Sequence, residues 1–293
     1  MGENRYRWLC RIAAIGFLLA GVLSGCAAVV PPQHWEAQLH GDTIALLGEI
    51  HDNAGHHRQR LDVLRRAFAA GWRPAIVMEQ FDRERQADID RARREKPHDA
   101  QHVINLATLP IDRRGTWNWD FYRPFVELAL EYNVPLIAAN LSTADANRVA
   151  REGYAAVFDA QSVNALGLSA PLSPDLQSAQ EHEIDIGHCN ALPPSALPTM
   201  ARGQLARDAV MASILGKHAS HGAVLIAGNG HVRRDIGVPR WLSAAQRARM
   251  LTVGYIEGGT ASDWVAAFDA VVRTAGTKRA DPCIEFKKRL KQV

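Results

Sequence analysis

The chain has 293 residues, enough for one large domain or two small ones. A chain of this size buries roughly 70 to 75% of its unfolded surface on folding, so its stability requires neither a metal ion nor a disulfide. The 34 basic residues nearly balance the 31 acidic ones. Because the basic excess is only three residues, the composition argues against a nucleic-acid partner.

The N-terminus has the pattern of a secretory signal. Three arginines precede an apolar run from Ile12 to Leu23, and the small residues of "LSGC" end that run. The run spans 12 residues, fewer than the ~20 of a transmembrane helix, although an uncleaved anchor is the alternative. "LSGC" resembles the bacterial lipobox, so we predict that residues 1–25 are removed as a signal peptide and that Cys26 carries the lipid.

After the signal, the sequence predicts a lipidated tether over residues 26–41 and a single α/β domain over residues 42–293. Compact apolar segments typical of strands alternate with amphipathic helices. The predicted strands cover 43–48, 75–80, 135–140, 223–228, 250–257 and 268–274. The predicted helices cover 55–70, 82–95 and 119–132. Strands that are apolar on both faces and separated by helices indicate a mostly parallel central sheet flanked by helices.

A helical insertion at about residues 142–219 separates the third and fourth predicted strands. It contains the Pro-rich stretch "ALPPSALP" at 191–198. We expect this insertion to act as a lid or as a partner surface.

Polar residues follow the first four predicted strands where each strand ends. They are Glu49 and His51, Glu79, Asn140, and Asn229 with His231. The carboxyl ends of parallel strands share one edge of a sheet, where ligands bind in a crevice, so we predict a site at this edge. The alternative is that some of these residues only cap the following helix, an interpretation that suits Asn140 better than Glu49.

The other histidines divide into two groups. His56 and His57 lie deeper in a predicted amphipathic helix, where we expect them to be solvated. His182 and His188 are six residues apart and cannot both face one ligand from a straight helix. We take His188 as the better ligand candidate and expect His182 to be exposed.

Two arginines directly follow His231. The guanidinium of Arg233 could hold a carboxylate or propionate by a bidentate contact. An ordinary salt bridge to Asp235 or Asp208 is the equally weighted alternative.

The cysteines suggest one disulfide. Cys10 is removed with the signal and Cys26 takes the lipid, which leaves Cys189 and Cys283 in an envelope compartment where disulfides persist. We predict that Cys189 and Cys283 pair, and the alternative is two buried thiols.

Six stretches together carry a resemblance that covers nearly the whole mature chain. They are "LLGEIHDN", "IVMEQ", "WNWDFYRPFVELALEYNVPLIAANL", "GHCNALP", "MARGQLARDAVMA" and "VLIAGNGHVRRDIGVP". The combination resembles the ChaN-type haem-binding uptake lipoproteins, which belong with the Tiki and TraB-like proteins. These proteins are similar to erythromycin esterases in a Gly-Glu-x-His motif, a downstream glutamate and a later glycine-linked histidine. The matching positions here are Glu49, His51, Glu79 and His231.

The resemblance implies an outer-membrane-anchored lipoprotein of the cell envelope, facing the periplasm or the surface, that binds haem. It further implies two stacked haems at a homodimer interface, a tyrosine that ligates the iron, and a haem receptor as a partner. A tyrosinate suits ferric iron that must later be released. Our candidate is Tyr154 in "REGYAAVF", with half-buried packing as the alternative, whereas Tyr122 and Tyr132 look like packing residues. His188 and Arg233 complete the expected haem contacts.

Two functions therefore remain open. The first is haem binding without turnover. The second is a metal-dependent hydrolase, esterase-like or peptidase-like, in which Glu49, His51, Glu79 and His231 hold a divalent metal or activate water. The sequence lacks a Ser-His-Asp signature and a His-Glu-x-x-His motif, so we rank binding first. The polar crevice nevertheless differs from an apolar haem pocket and could be a separate site.

Overall fold

A computed structural model describes residues 34–108, 117–258 and 262–290. Its strands form one six-stranded sheet with the spatial order β3-β2-β4-β1-β5-β6, and each described strand pair is parallel. The strands are β1 (Ile44–Leu47), β2 (Ala75–Asp82), β3 (Leu136–Asn140), β4 (Ala223–Ile226), β5 (Met250–Glu257) and β6 (Ala270–Thr274). The predicted α/β class with a parallel sheet is confirmed.

Helices cover both faces of this sheet. They are α1 (Ala54–Ala69), α2 (Gln86–Glu95), α3 (Ala100–Ala107), α4 (Trp119–Glu131), α5 (Thr143–Glu152), α6 (Ala160–Ala165), α7 (Pro174–Gly187), α8 (Leu197–Lys217), α9 (Asn229–Val232), α10 (Ala244–Arg247), α11 (Ser262–Ala266) and α12 (Pro282–Leu290). Within the described residues, no helix combines the length and the apolar character needed to cross a bilayer.

Two hydrophobic cores lie on the two faces of the sheet. Along β1, Ala45 and Leu47 point into the core that contains α1 and α4, while Ile44 and Leu46 point into the core that contains α8. Alternate residues of a strand face opposite sides of a sheet, so a strand covered on both sides must be apolar throughout. This is why the strands appear in the sequence as unbroken apolar runs.

The helical insertion between β3 and β4 is confirmed and has a small core of its own. Val149, Phe158, Leu168 and Val210 are among the buried residues of that core. The long helix α8 leaves the insertion and continues over the sheet, where Leu215 is fully buried in the α8-side core. The insertion is thus attached to the sheet through α8.

The N-terminal segment packs earlier than the sequence suggested. A 3-10 helix at His34–Gln38, in the stretch assigned to the tether, buries Trp35, and Leu39 just after it is buried as well. Their apolar area contacts the core beside α1, so the packed part of the chain begins before residue 42. The predicted signal peptide and the lipidation site Cys26 lie outside the described residues.

Two elements differ from the predicted pattern between β2 and α4. The strand β2 extends to Asp82, and a 3-10 turn at Arg83–Arg85 precedes α2, so the predicted helix over 82–95 begins late. The helix α3 was not predicted. Asp99 caps it by accepting a hydrogen bond from the backbone N–H of His102.

The predicted disulfide between Cys189 and Cys283 is present. The two Cα atoms are 5.4 Å apart and the residues are separated by 94 positions. Cys189 follows the end of α7, and Cys283 lies in the first turn of α12. The bond therefore joins the helical insertion to the C-terminal helix.

Candidate functional site

The end of β1 places Glu49 at the carboxyl edge of the sheet. The N–H of Gly48 donates to the carbonyl of Val253 at 2.8 Å, and the N–H of Asn229 donates to the carbonyl of Glu49 at 2.9 Å. A Cβ atom on Gly48 would lie 2.1 Å from Oδ1 of Asn229, a distance that no side chain tolerates. Glycine before the glutamate thus allows the β1 and β4 ends to approach closely.

The carboxylate of Glu49 is buried, with 2% of the residue exposed, and it is held from several sides. Tyr122 donates its hydroxyl hydrogen to Oε1 at 2.5 Å, and Nδ1 of His51 lies 2.8 Å from the same oxygen. The guanidinium of Arg60, itself fully buried, forms an ion pair with Oε2. A buried charge requires a partner of this kind, so Glu49 and Arg60 form one unit.

His51 is oriented by Glu49 but remains accessible. A carboxylate can only accept a hydrogen bond here, so Nδ1 of His51 carries the proton and Nε2 is the basic nitrogen. The imidazole edge packs against the Trp117 ring, with the centroids 4.8 Å apart, and half of the side chain is exposed. The geometry presents a tautomer that can accept a proton from water or substrate.

The expectation that His56 and His57 are solvated is wrong, since both are buried. Nε2 of His57 donates to the carbonyl of His51 at 3.0 Å, and Nδ1 accepts from Arg60 at 3.0 Å. Burial lowers the pKa of each imidazole to about 4, so both are neutral. The two histidines are among the buried residues of α1, whose first turn Asn53 caps by accepting from the N–H groups of Gly55 and His56.

A second cluster forms around His231. Nδ1 of His231 lies 2.6 Å from Oδ1 of Asp208, and Nε2 lies 3.4 Å from Oε1 of Glu79. Burial opposes protonation of the imidazole, but the two carboxylates outweigh it and raise the pKa of His231 to about 10. Burial likewise opposes ionisation of Glu79, yet the imidazolium lowers the pKa of Glu79 to about 2. Burial raises the pKa of Asp208 to about 6.

The helix α8 supplies polar side chains that the sequence analysis did not assign to the site. Gln204, Arg207 and Asp208 share one face of the helix because they are three and four residues apart. Nε2 of Gln204 lies 3.2 Å from Nδ1 of His231, and Arg207 donates to Oδ1 of Asn140 at 2.6 Å. Asn140 therefore ties β3 to α8 and does not contact Glu49.

The two clusters meet at Gly228. Its N–H donates to Oε2 of Glu79 at 2.8 Å, and a Cβ atom there would lie 2.8 Å from Cε1 of His51. The structure thus brings together the four residues that the sequence placed at the strand ends: Glu49, His51, Glu79 and His231. Within the described part of the chain, however, no three His, Cys, Asp or Glu side chains are arranged to hold a metal ion.

An aromatic wall from the start of α4 borders the first cluster. Phe121 stacks on His57 with centroids 4.5 Å apart, and Trp117 meets the edge of Tyr122 at 5.4 Å. Tyr122 and Arg60 are functional candidates that the sequence analysis missed. The stretch "WNWDFY" is the sequence signal that could have pointed to this wall, because aromatic side chains pack against one another in pairs.

The C-terminal segment holds the loop that carries His51. The guanidinium of Arg279 donates to Oδ1 of Asp52 at 2.8 Å and to Oε1 of Glu257 at 2.7 Å. Asn53 donates to Oε1 of Glu257 at 2.8 Å. These contacts join the loop after β1 to the end of β5.

The three residues expected to contact haem each have contacts of their own. Tyr154 is half-buried in a 3-10 turn against the insertion core, and burial raises the pKa of its phenol while Arg202 opposes that shift. His188 ends α7, and its Nδ1 lies 2.7 Å from the carbonyl of Ile184. Arg233 pairs with Asp235 and Glu183, the former being the salt-bridge alternative weighed from the sequence.

The fold and the site define an α/β protein with a parallel sheet and a buried Glu/His crevice at its carboxyl edge. A family model described as "Haem-binding uptake, Tiki superfamily, ChaN" matches residues 35–242, and the chain belongs to this family. Among proteins with curated descriptions, none matches the sequence.

One solved structure supports the same fold, and a second is reported beside it. ChaN of Campylobacter jejuni, described with cofacial haem binding, is 19% identical and aligns with a TM-score of 0.58 over 77% of this chain and 85% of that one. An erythromycin esterase mutant in its open conformation is 11% identical, with a TM-score of 0.42 over 74% of this chain and 70% of that one. The first comparison shows that the two chains share a fold.

Proposed function

We propose that this protein binds haem in the cell envelope, as a carrier in iron uptake or handling. The observation that carries the proposal is membership of the haem-binding uptake family over residues 35–242. The shared fold with ChaN of Campylobacter jejuni, which is described with cofacial haem, adds support. The cargo is an iron porphyrin, a large planar apolar ring with two carboxylates.

We assign Tyr154 as the axial ligand of the iron. The side chain is half-buried against the core of the insertion, which gives the apolar surroundings that a porphyrin face needs. Burial raises the pKa of the Tyr154 phenol, and the positive charge of Arg202 opposes part of that rise. These features fit haem, which when bound supplies a ferric centre that accepts a phenolate oxygen.

The expected propionate contact of Arg233 has weaker support. Its guanidinium lies over the Trp264 ring at 5.1 Å and is already paired with Glu183 and Asp235. Binding a propionate there would require the loss of one of these pairs.

The proposal includes the location and assembly that the sequence suggests. Lipidation of Cys26 would attach the domain to a membrane, most naturally the outer membrane, and a homodimer would stack two haems. A haem receptor would be the source or the recipient of the cargo. Replacement of Cys26 by alanine should abolish the incorporation of labelled fatty acid, and equal labelling of this variant would refute the anchor.

A hemin titration tests the haem assignment. We expect the wild type to bind hemin saturably with a tyrosinate-to-iron charge-transfer band, and Tyr154→Phe to lose the band and bind about tenfold more weakly, or less favourably by about 1.4 kcal/mol. Tyr132→Phe is the matched control, because Tyr132 is also half-buried but packs against Phe68 at 5.1 Å. An unchanged spectrum in Tyr154→Phe would remove this ligand, and featureless binding by the wild type would remove the function.

A second candidate function is hydrolysis at the strand-end crevice, and the Glu49–His51 pair favours it. With the proton on Nδ1 held by Glu49, Nε2 of His51 can accept a proton from a water molecule as that water attacks an ester or amide carbonyl. The protonated His231 lies on the other side of Gly228 and can stabilise negative charge. The carboxylate of Glu49 is already paired with Arg60, and that of Glu79 with His231. This mechanism therefore does not depend on the divalent metal suggested by the sequence.

Model esters and peptides distinguish the two functions. If the crevice is catalytic, His51→Ala should lower the turnover about 10²- to 10³-fold, the contribution typical of a general base. His182→Ala is the control, since His182 is exposed on α7. Activity that survives chelation supports the metal-independent mechanism, activity lost on chelation supports the metal-dependent one, and inactivity of the wild type removes both.

A further inference from the structure

An open groove of about 950 Å³ lies at the amino edge of the sheet. Its lining includes the points where three strands begin: Ala75 at the start of β2, Pro135 before β3 and Gly222 before β4. Because the strands are parallel, this groove and the Glu/His crevice lie at opposite ends of the strands. A second groove of about 320 Å³ adjoins the first, since Asn133 lines both. The lining of these two grooves is called the amino-edge face below.

Cations outnumber carboxylates on the amino-edge face. The charge of Asp42 is already balanced, since Nη1 of Arg249 lies 3.1 Å from its Oδ2. Burial and the neighbouring Lys217 lower the pKa of His218, so this imidazole is neutral at pH 7 and adds no charge. The face is therefore positively charged. Apart from histidines, its charged residues are Arg73, Arg93, Arg94, Lys217, Asp42 and Asp90.

One of these cations is held in a fixed position and two others are exposed. Nη1 of Arg73 donates to the carbonyls of Phe68 and Trp72, and the guanidinium lies 4.6 Å from the centroid of the Tyr132 ring. Both bonds use Nη1, which leaves Nε and Nη2 to donate to an anion. Arg94 and Lys217 are exposed, so exchanging them removes charge at little cost in stability.

The proposed tether joins the domain beside the same face. The 3-10 helix at His34–Gln38 is followed by Gly41 and Asp42, which line the larger groove. The indole N–H of Trp72 donates to the carbonyl of Gly41 at 3.2 Å and fixes the chain there. Cys26 precedes the 3-10 helix by eight positions. A chain of that length spans at most about 29 Å when fully extended, so a lipid on Cys26 would keep this face near the bilayer.

We infer that the amino-edge face binds the phosphate headgroups of an anionic lipid surface and so turns the crevice away from the bilayer. This inference rests on the proposed lipid anchor and goes beyond it, because an anchor alone sets no orientation. Phosphate oxygens accept charge-assisted hydrogen bonds from guanidinium and ammonium groups. The short tether gives the face a high effective concentration of lipid, so contacts that are weak one by one suffice.

Vesicle binding tests this face. The full chain carries Cys26→Ala in every variant, so that no lipid holds it and the N-terminal segment contributes equally throughout. Without further changes, it should prefer vesicles of phosphatidylcholine mixed equally with phosphatidylglycerol over vesicles of phosphatidylcholine alone. Arg94→Gln with Lys217→Gln should reduce this ratio of partition coefficients about 30-fold at low salt, since each cation near an anionic leaflet contributes about fivefold.

Two further pairs of variants are the controls. Arg123→Gln with Arg151→Gln changes the net charge equally but affects arginines of α4 and α5 that lie outside the lining of both grooves, so the preference should remain. Arg94→Lys with Lys217→Arg keeps the charge and should also keep the preference. About 1 M salt should abolish it, because the Debye length falls to about 3 Å. Circular dichroism should show that every variant is folded.

The outcomes separate this inference from the anchor on which it rests. Equal losses of preference in the two glutamine pairs, or no preference before any change at the face, would overturn the inference. Saturable binding of inorganic phosphate without a preference among vesicles would make the grooves a site for a free anion and would also overturn it. If labelled fatty acid is incorporated at Cys26 of the wild type, the anchor survives either result. Absence of that label would overturn the anchor and the inference together.

Discussion

The strand-end crevice and the surface at the end of α7 differ in how their polar groups are held. In the crevice, Glu49, Arg60 and His231 are buried, Glu49 pairs with Arg60, and His231 pairs with Asp208. At the end of α7, Ile186 is exposed and His188 has one nitrogen fixed and the other available. The first region is organised before any ligand arrives, and the second offers apolar area that a ligand would cover.

This difference follows from the layers that surround each region. Helices cover both faces of the sheet, so side chains at its carboxyl edge lie in a medium of low polarity where unpartnered charges are costly. The insertion has only a small core of its own, and a disulfide attaches its last part to α12. The crevice is thus held by buried partners, whereas the end of α7 is held by a covalent bond.

The largest effect should come from separating the buried pair at the crevice. Arg60→Met should destabilise the protein by about 3–5 kcal/mol, because it leaves the carboxylate of Glu49 buried without its main partner. Arg66→Met on the same helix is the control, since Arg66 forms an ion pair with Glu36 at the surface and should cost about 1 kcal/mol or less. Urea unfolding of the two variants measures the difference between their free energies of unfolding. Equal losses of stability would contradict the prediction.

The cluster of His231, Glu79 and Asp208 should make the free energy of unfolding depend on pH. The pKa of His231 is raised from 6.5 to about 10, so its stabilisation is complete below pH 6.5 and is lost as the pH rises to 10. The pKa of Glu79 is lowered from 4.5 to about 2, so its stabilisation is present above pH 4.5 and is lost as the pH falls to 2. The raised pKa of Asp208, about 6, acts against stability as the pH passes from 3.8 to 6.

A comparison of the wild type with His231→Gln isolates the contribution of His231 to the unfolding free energy at alkaline pH. Between pH 6.5 and 10, the wild type should lose on the order of 2–4 kcal/mol more than the variant. Unfolding curves at several pH values in that range provide the measurement. Parallel pH profiles would show that His231 is not held protonated by Glu79 and Asp208.

A smaller effect should come from the close approach of β1 and β4. Gly48→Ala should cost about 1–3 kcal/mol, because the new methyl group would meet the side chain of Asn229 and, at 3.2 Å, its Cα atom. Gly230→Ala is the control, since a Cβ atom there meets nothing within 4 Å. The midpoints of denaturant unfolding distinguish the two, and similar midpoints would show that the strand ends can separate at little cost.

The fold was predictable because the sheet is covered on both faces. Strands such as "TIALLG" and "AVLIAG" must be apolar throughout, and glycine follows each of them where the chain turns. The positions of Glu49, His51, Glu79 and His231 followed from the shared edge of parallel strands. The disulfide followed from the two cysteines that remain after the signal and the lipid site are assigned.

The partners of the crevice residues were harder to predict. His57 and Arg60 sit on a helix with many polar residues, and periodicity alone places such residues in solvent. They are buried because Glu49 provides a charge for Arg60, and Arg60 in turn donates to His57. Pairing across more than one element is a tertiary effect, and Tyr122 was missed for the same reason, since its hydroxyl reaches Glu49 from α4.

The smallest loss of stability is expected for His51→Ala, and its contrast with His57→Ala sharpens the comparison most. His57→Ala should cost about 2–3 kcal/mol, because it opens a cavity beneath Phe121 and leaves a hydrogen-bond donor of Arg60 without its acceptor. His51→Ala should cost under about 1 kcal/mol, because half of that side chain is already in water. Urea unfolding of both variants provides the measurement, and a large loss of stability in His51→Ala would show that the fold depends on His51.

A small loss would mean that the Glu49 carboxylate and the Trp117 ring orient an imidazole that the fold does not need for its stability. His51 would then be oriented by its neighbours without being needed for stability, so it is available for proton transfer. His57, in contrast, helps to hold Arg60, the guanidinium that pairs with Glu49.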